Sequence, residues 1–128
     1  MNQVNLIGRL TDTPELKIIP SGSDSHLLCR FTLAINEQRR GIRYTEFIDC
    51  IAWGKTAELI INYTEKGQEL SVRGRLQVRR VKREDGTWRT YANVNVERMW
   101  FIGSRKDAPE ALDFEEPADE VTQDEEPE

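Results

Sequence analysis

Residues 43–54, RYTEFIDCIAWG, decide how this chain folds, because they read as one strand with two unlike faces. Under period-two alternation Tyr44, Glu46, Ile48, Cys50 and Ala52 share one side, and Thr45, Phe47, Asp49, Ile51 and Trp53 share the other. An acidic residue between aromatics resists unpaired burial, so the second face is expected to meet water and to turn Phe47 and Trp53 outward. The same pattern also fits aromatics that cap a second small core.

Downstream of this strand, Gly54 is a break, and KTAELIINYTEK has helical spacing, with Ala57, Ile60, Ile61 and Thr64 along one side and Lys66-Gly67 as the stop. Residues 69–81 alternate Leu70, Val72, Gly74, Leu76 and Val78 against Ser71, Arg73, Arg75, Gln77 and Arg79, which predicts a strand with one core face and one arginine face. Arg80, Lys82 and Arg83 carry the charge into a hairpin whose tip, Glu84-Asp85-Gly86-Thr87, tolerates positive φ. Residues 88–101 return as a strand with Ala92, Val94 and Val96 inward and Arg89, Tyr91, Asn93 and Asn95 outward.

Upstream, residues 37–42 form a basic hairpin loop that sets Arg39 and Arg40 beside the open aromatic face. Residues 25–36 make a long strand, with Leu27, Cys29, Phe31, Leu33 and Ile35 on one side and Arg30, Thr32, Ala34 and Asn36 on the other. A first strand over residues 2–10 is interrupted at Gly8, and a turn, an extended piece over 15–19 and a loop over 20–24 follow it. The order strand, strand, strand, helix, strand, strand predicts an all-β fold with one helix: a five-stranded Greek-key OB-fold barrel, the helix between strands three and four. Periodicity alone leaves another small barrel or an α+β sandwich open.

The 128 residues, 38% of them hydrophobic, suit one domain with a modest core. The formal charge of −5 conceals two halves. All 18 Lys and Arg lie in residues 1–106 against 12 Asp and Glu, a balance of +6, whereas residues 107–128 hold 11 acidic residues and no basic one. The expected division is therefore an OB-fold domain over 1–106 and a disordered acidic tail over 107–128. A basic globular part implies a polyanion partner. No apolar run approaches membrane-spanning length and the first residues lack a secretory layout, so the address expected is cytoplasmic, at the nucleoid. Cys29 and Cys50 are not at CxxC spacing and read as reduced core thiols.

No catalytic constellation is present. His26 is the one histidine and opens a strand, so no metal site and no cofactor are expected, and there is no phosphate-cradling G-x-x-x-x-G-K-[ST] loop or G-x-S-x-G turn. What remains is a binding surface. Phe47, Trp53, Trp88 and Tyr91 are candidate stacking residues. Arg39, Arg40, Arg73, Arg75, Arg79, Arg80, Lys82, Arg83 and Arg89 are candidate phosphate contacts. Rings interleaved with guanidiniums suit single-stranded nucleic acid, whose unpaired bases expose π-faces while its backbone needs cations.

VNLIGRLTDTPEL near the start, YTEFIDCIAWGKTAELIINYTEKGQELSVRGRLQVRR in the middle and the closing FIGSR together resemble the bacterial single-stranded DNA-binding protein family along nearly all of residues 1–105. The resemblance implies an OB-fold that forms homotetramers or dimers and wraps single-stranded DNA without strong sequence preference during replication, recombination and repair. It places Phe47 and Trp53 at the family's stacking positions and supports Arg73, Arg79, Arg80 and Arg89 as phosphate contacts. Val81 stands where the family often has another aromatic, with Trp88 across the hairpin as a substitute. The family's acidic tip ends in a hydrophobic pair that recruits replication and repair proteins; this sequence closes on Glu128 with its nearest aromatic at Phe114, so the acidic tail is the candidate docking segment for such proteins but lacks that pair. The rival readings are a primosome-type or RNA-binding relative with the same barrel, and a protein-interaction scaffold.

Overall fold

In the computed structural model, which describes residues 1–102, the elements run β1 (Val4–Leu10), β2 (Glu15–Ser21), β3 (Asp24–Arg39), β4 (Ile42–Trp53), α1 (Gly54–Tyr63), β5 (Glu69–Lys82) and β6 (Trp88–Phe101). The strands form one sheet in the order β1-β5-β6-β4-β3-β2, and β1 also pairs with β3. That extra pairing, Arg9 with Ala34 and Leu10 with Leu33, closes five strands into a barrel and leaves β2 as an added strand on the edge of β3. The parallel contact between β4 and β6 is short, running from Cys50–Val94 to Ala52–Val96. Closure with the helix between the third and fourth barrel strands is the OB-fold arrangement, and the sandwich alternative falls away.

The core fills the barrel with the inward positions of each strand. Phe31, Leu33 and Ile35 come from β3, Cys50 and Ala52 from β4, Leu70 and Val72 from β5, and Val94, Val96 and Met99 from β6, with Ala57 and Ile60 of α1 packed against them. Two glycines allow the strands to coil tightly. A Cβ on Gly8 would stand 2.7 Å from the Ala34 carbonyl oxygen, and one on Gly74 only 2.1 Å from that of Asn95. Gly74 marks the register shift between β5 and β6, where the pair bends away from the barrel.

That bend corrects part of the sequence reading. Leu76 and Val78 were expected in the core with Leu70 and Val72, and Ala92 with Val94. Past Gly74 the core ends under β5 before it ends under β6: Val94, opposite Leu76, is still buried, whereas Leu76 (44% exposed), Val78 (58%) and Ala92 are open. The expected loop over 37–42 is also mostly strand. β3 and β4 pair out to Arg39 with Ile42, leaving a two-residue turn in which Arg40 (φ 54°) and Gly41 (φ 79°) both adopt positive φ. The piece over 15–19 is a full strand. The helix ends at Tyr63, where the Thr64 backbone N–H and side-chain hydroxyl both donate to the Ile60 carbonyl.

Cys29 and Cys50 are buried and unbridged. Burial pushes both thiols from the ordinary 9.0 up to about 12, and the Asp49 charge adds to the effect on Cys50. The expected tail over 107–128 lies outside the described residues.

Candidate nucleic-acid interface

The outward face of β4 divides along its length. Phe47, opposite Ala34, is 66% exposed, and Thr45 and Asp49 beside it are open too. Two positions further, the same face goes under cover. Ile51 (4% exposed) and Trp53 (8%) form a second buried cluster with Leu28, and Ile19 of β2 packs against it. Trp53 was expected to face outward with Phe47, and the structure corrects this: β2 broadens the sheet beside β3 at this end only, and the indole packs there. The capping of a second small core, left open by the sequence, is what Trp53 does.

The β5–β6 hairpin carries its aromatics on opposite faces. Arg79 pairs with Tyr91 and Val81 with Arg89, so these four share one side, while Arg80, Lys82, Trp88 and Thr90 share the other. Tyr91 is held between two guanidiniums, with Arg79 5.7 Å and Arg89 5.1 Å from the ring centre. On the far side Arg80 stands 5.0 Å from the ring of Trp88, which is 56% exposed. At the tip, Asp85 accepts from the Thr87 backbone N–H (3.0 Å) and hydroxyl (2.7 Å), bonds that lower its pKa.

The Tyr91 side of this hairpin and the part of the β3–β4 face that carries Arg30, Thr32 and Asp49 are the two walls of one cleft. At its base lies a cavity of about 560 Å³ whose lining includes Arg30, Thr32, Asp49, Arg79, Tyr91 and Asn93. The Thr32 hydroxyl donates to Asp49 Oδ1 at 2.9 Å, which fixes that carboxylate in the wall. Cations at the cleft face aromatic surface, so its walls offer stacking planes and phosphate contacts side by side.

Not every candidate reaches this cleft. Arg73 and Arg75 lie on β5 before and after the bulge at Gly74, and Arg75 is engaged with Glu97 at 3.1 Å. Arg40 is at the tip of the β3–β4 hairpin and Arg83 in the turn of the other, both exposed, and Lys82 sits beside Trp88 on the face away from the cleft. Arg39 pairs with Ile42, on the face opposite Phe47. Two further outward-facing arginines were omitted by sequence reasoning. Arg43 is exposed and, four residues before Phe47, shares its face, a placement that period-two counting already contained. Arg30 lines the cavity from β3, and nothing in its alternation marked it apart from other outward residues.

Comparison with known proteins agrees with this fold. Residues 1–102 match the model of the single-strand binding protein family. The chain is 41% identical over 123 residues to single-stranded DNA-binding protein 2 of Clostridium acetobutylicum, covering 94% of this chain and 91% of that protein. It is 43% identical over 104 residues to a single-stranded DNA-binding protein of Clostridium perfringens, covering 81% and 67%. With a Bacillus cereus protein of the same name the identity is 39% over 108 residues, covering 82% and 62%. By fold, by the family match and by these relatives, the chain belongs to the single-strand binding protein family.

Proposed function

We propose that this protein binds single-stranded DNA stoichiometrically and without turnover, protecting exposed strands during replication, recombination and repair. The observation that carries the reading is the cleft beside Tyr91, whose ring has the Arg79 and Arg89 guanidiniums over it, together with Phe47 and Arg43 exposed on the outward face of β4. Bases stack on the two rings, and on Trp88 where the strand passes around the hairpin. Arg40, Arg80, Lys82 and Arg83 extend the cationic path along the two hairpins. Stacking of this kind tolerates any base, because every base has a π-face. Trp53, packed with Leu28 and Ile51, holds the end of the same face in place.

The binding unit in this reading is residues 1–106, with 107–128 as a separate acidic segment. Exposed Ile7, Leu76 and Val78 support self-association, and a homotetramer is the assembly proposed. Light scattering that returned the mass of a single chain would reject that assembly. The address proposed is cytoplasmic, at the nucleoid. Among the described residues no helix is long and apolar enough to cross a membrane.

The test is a tryptophan fluorescence titration with oligo-dT and with duplex DNA of equal length, at two salt concentrations. Oligo-dT is expected to quench the exposed Trp88, duplex is not, and affinity falls with salt by a slope of about 0.7 per phosphate contact. Phe47→Ala should weaken oligo-dT binding by about 1–3 kcal/mol. Equal affinity for both DNAs, unaffected by Phe47→Ala, would leave only a basic surface.

A further inference from the structure

The β5–β6 hairpin carries the same unit, a ring beside cations, on both of its faces. In the cleft the unit is Tyr91 with the Arg79 and Arg89 guanidiniums over its ring. On the reverse face it is Trp88, 56% exposed, with the Arg80 guanidinium 5.0 Å from its ring centre and Lys82 directly across the strand pair. Val81, where the family resemblance sets a further aromatic, pairs with Arg89 on the Tyr91 side, whereas Trp88 pairs with Lys82 one position out of step. The indole therefore projects from the opposite face and does not replace an aromatic at Val81. It belongs to a different surface.

The make-up of that surface narrows what it holds. Residues 76–82 and 88–92 contain no Asp or Glu, so the two arms of the hairpin offer Arg80 and Lys82 no carboxylate. At the tip, Asp85 is engaged with Thr87. The apolar side chains of the same face, Leu76 and Val78, stand nearer the barrel, and the ring and cations lie beyond them toward the tip. The core of a protein contact is depleted of charge, whereas an exposed indole between a guanidinium and an ammonium suits a base on the ring and phosphates on the cations.

We propose that Trp88, Arg80 and Lys82 form a second single-strand site, so that one hairpin holds two segments of nucleic acid at once, one on each face. Stacking on the indole tolerates any base, as in the cleft. The two faces have no residue in common, and the backbone of the ribbon stands between their ligands, so filling the cleft leaves the reverse face open. The segment on the reverse face is either the strand that leaves the cleft and turns the tip or a separate strand. In the first case the hairpin bends one strand, and in the second it brings two together. This site rests on the single-strand reading above and extends it to a face that the cleft does not use.

The experiment titrates the full chain with dT strands of about six and about thirty nucleotides, following the anisotropy of an end-labelled strand together with tryptophan emission. Trp88→Phe assigns the emission change to Trp88. Thr90→Glu sets a carboxylate opposite Arg80 and leaves the cleft face untouched. The long strand is expected to quench Trp88 and to bind Thr90→Glu about tenfold more weakly. Short strands that saturate at two per chain, and at one in Thr90→Glu, support the site with separate strands as its ligands. Saturation at one per chain, with quenching by the long strand alone, supports it with a single strand bent around the tip. A long strand that prefers this protein over duplex competitor yet leaves Trp88 emission unchanged, or that binds and quenches Thr90→Glu as it does the parent, overturns the second site and leaves the cleft reading intact. Equal affinity for single strands and duplex overturns both.

Discussion

Phe47 and Trp53 occupy one face of β4 and meet opposite surroundings, which makes them a pair that separates binding from stability. Trp53→Ala empties part of the cluster with Leu28 and Ile51 and should cost about 3 kcal/mol of folding stability. Phe47→Ala, at an open position, should leave the denaturant midpoint nearly unchanged while weakening DNA binding. A Trp53→Ala chain as stable as the parent would show that the cluster contributes nothing. The sequence contained a hint of this second cluster in Ile18-Ile19 and Leu27-Leu28, since adjacent apolar residues in a strand place one on each face. Alternation within residues 43–54 could not show it, because the covering strand comes from elsewhere in the chain. The thiols give a second prediction at this scale. With folded values of about 12 against the ordinary 9.0, Cys29 and Cys50 favour the folded state below about pH 9, and that contribution is lost as pH rises from 9 toward 12. Denaturant midpoints of the parent and of a Cys29→Ala/Cys50→Ala chain, compared across this window, should converge as pH rises. A constant difference would contradict the linkage.

Among the elements, the β5–β6 hairpin depends most on a single residue. Gly74→Ala drives a Cβ into the Asn95 carbonyl, backbone against backbone, so relief requires the two strands to part at the bulge. Gly41→Ala meets nothing within 4 Å and is strained only by its φ of +79°, a cost of about 1 kcal/mol. Thermal unfolding should therefore fall much further for Gly74→Ala, and equal losses would mean that the bulge yields easily. The arginine face and the tip of this hairpin were legible in residues 69–88 from period two and Asp85-Gly86. Where the strand leaves the barrel was not. Leu76 and Val78 continue the apolar alternation of Leu70 and Val72 without a break, and only the fold shows that no core lies beneath them. Likewise the opposite placement of Trp88 and Tyr91 follows from the register with Lys82 and Arg79, which a single strand does not state.

The barrel as a whole was legible because strand order and the position of the helix are carried by local patterns, whereas its closure is not local at all. β1 must find β5, with Val4 against Gly74 and Arg9 against Glu69, and must also meet β3 at Ala34. The β3–β4 pair, by contrast, zips outward from a two-residue turn. Loop-closure entropy delays distant pairings, so folding should take milliseconds to seconds, with β3–β4 formed in the transition state and β1 docking late. Conservative substitutions in β1, such as Leu6→Ala, should then speed unfolding more than they slow refolding, and the reverse would place β1 in the nucleus. The order of synthesis sharpens the point. β1 is made first, yet its partner strand emerges only after residue 69, so until β5 appears Leu6 and Leu10 wait on the nascent chain with one side of their strand unpaired, and the barrel's earliest segment is the last to be enclosed.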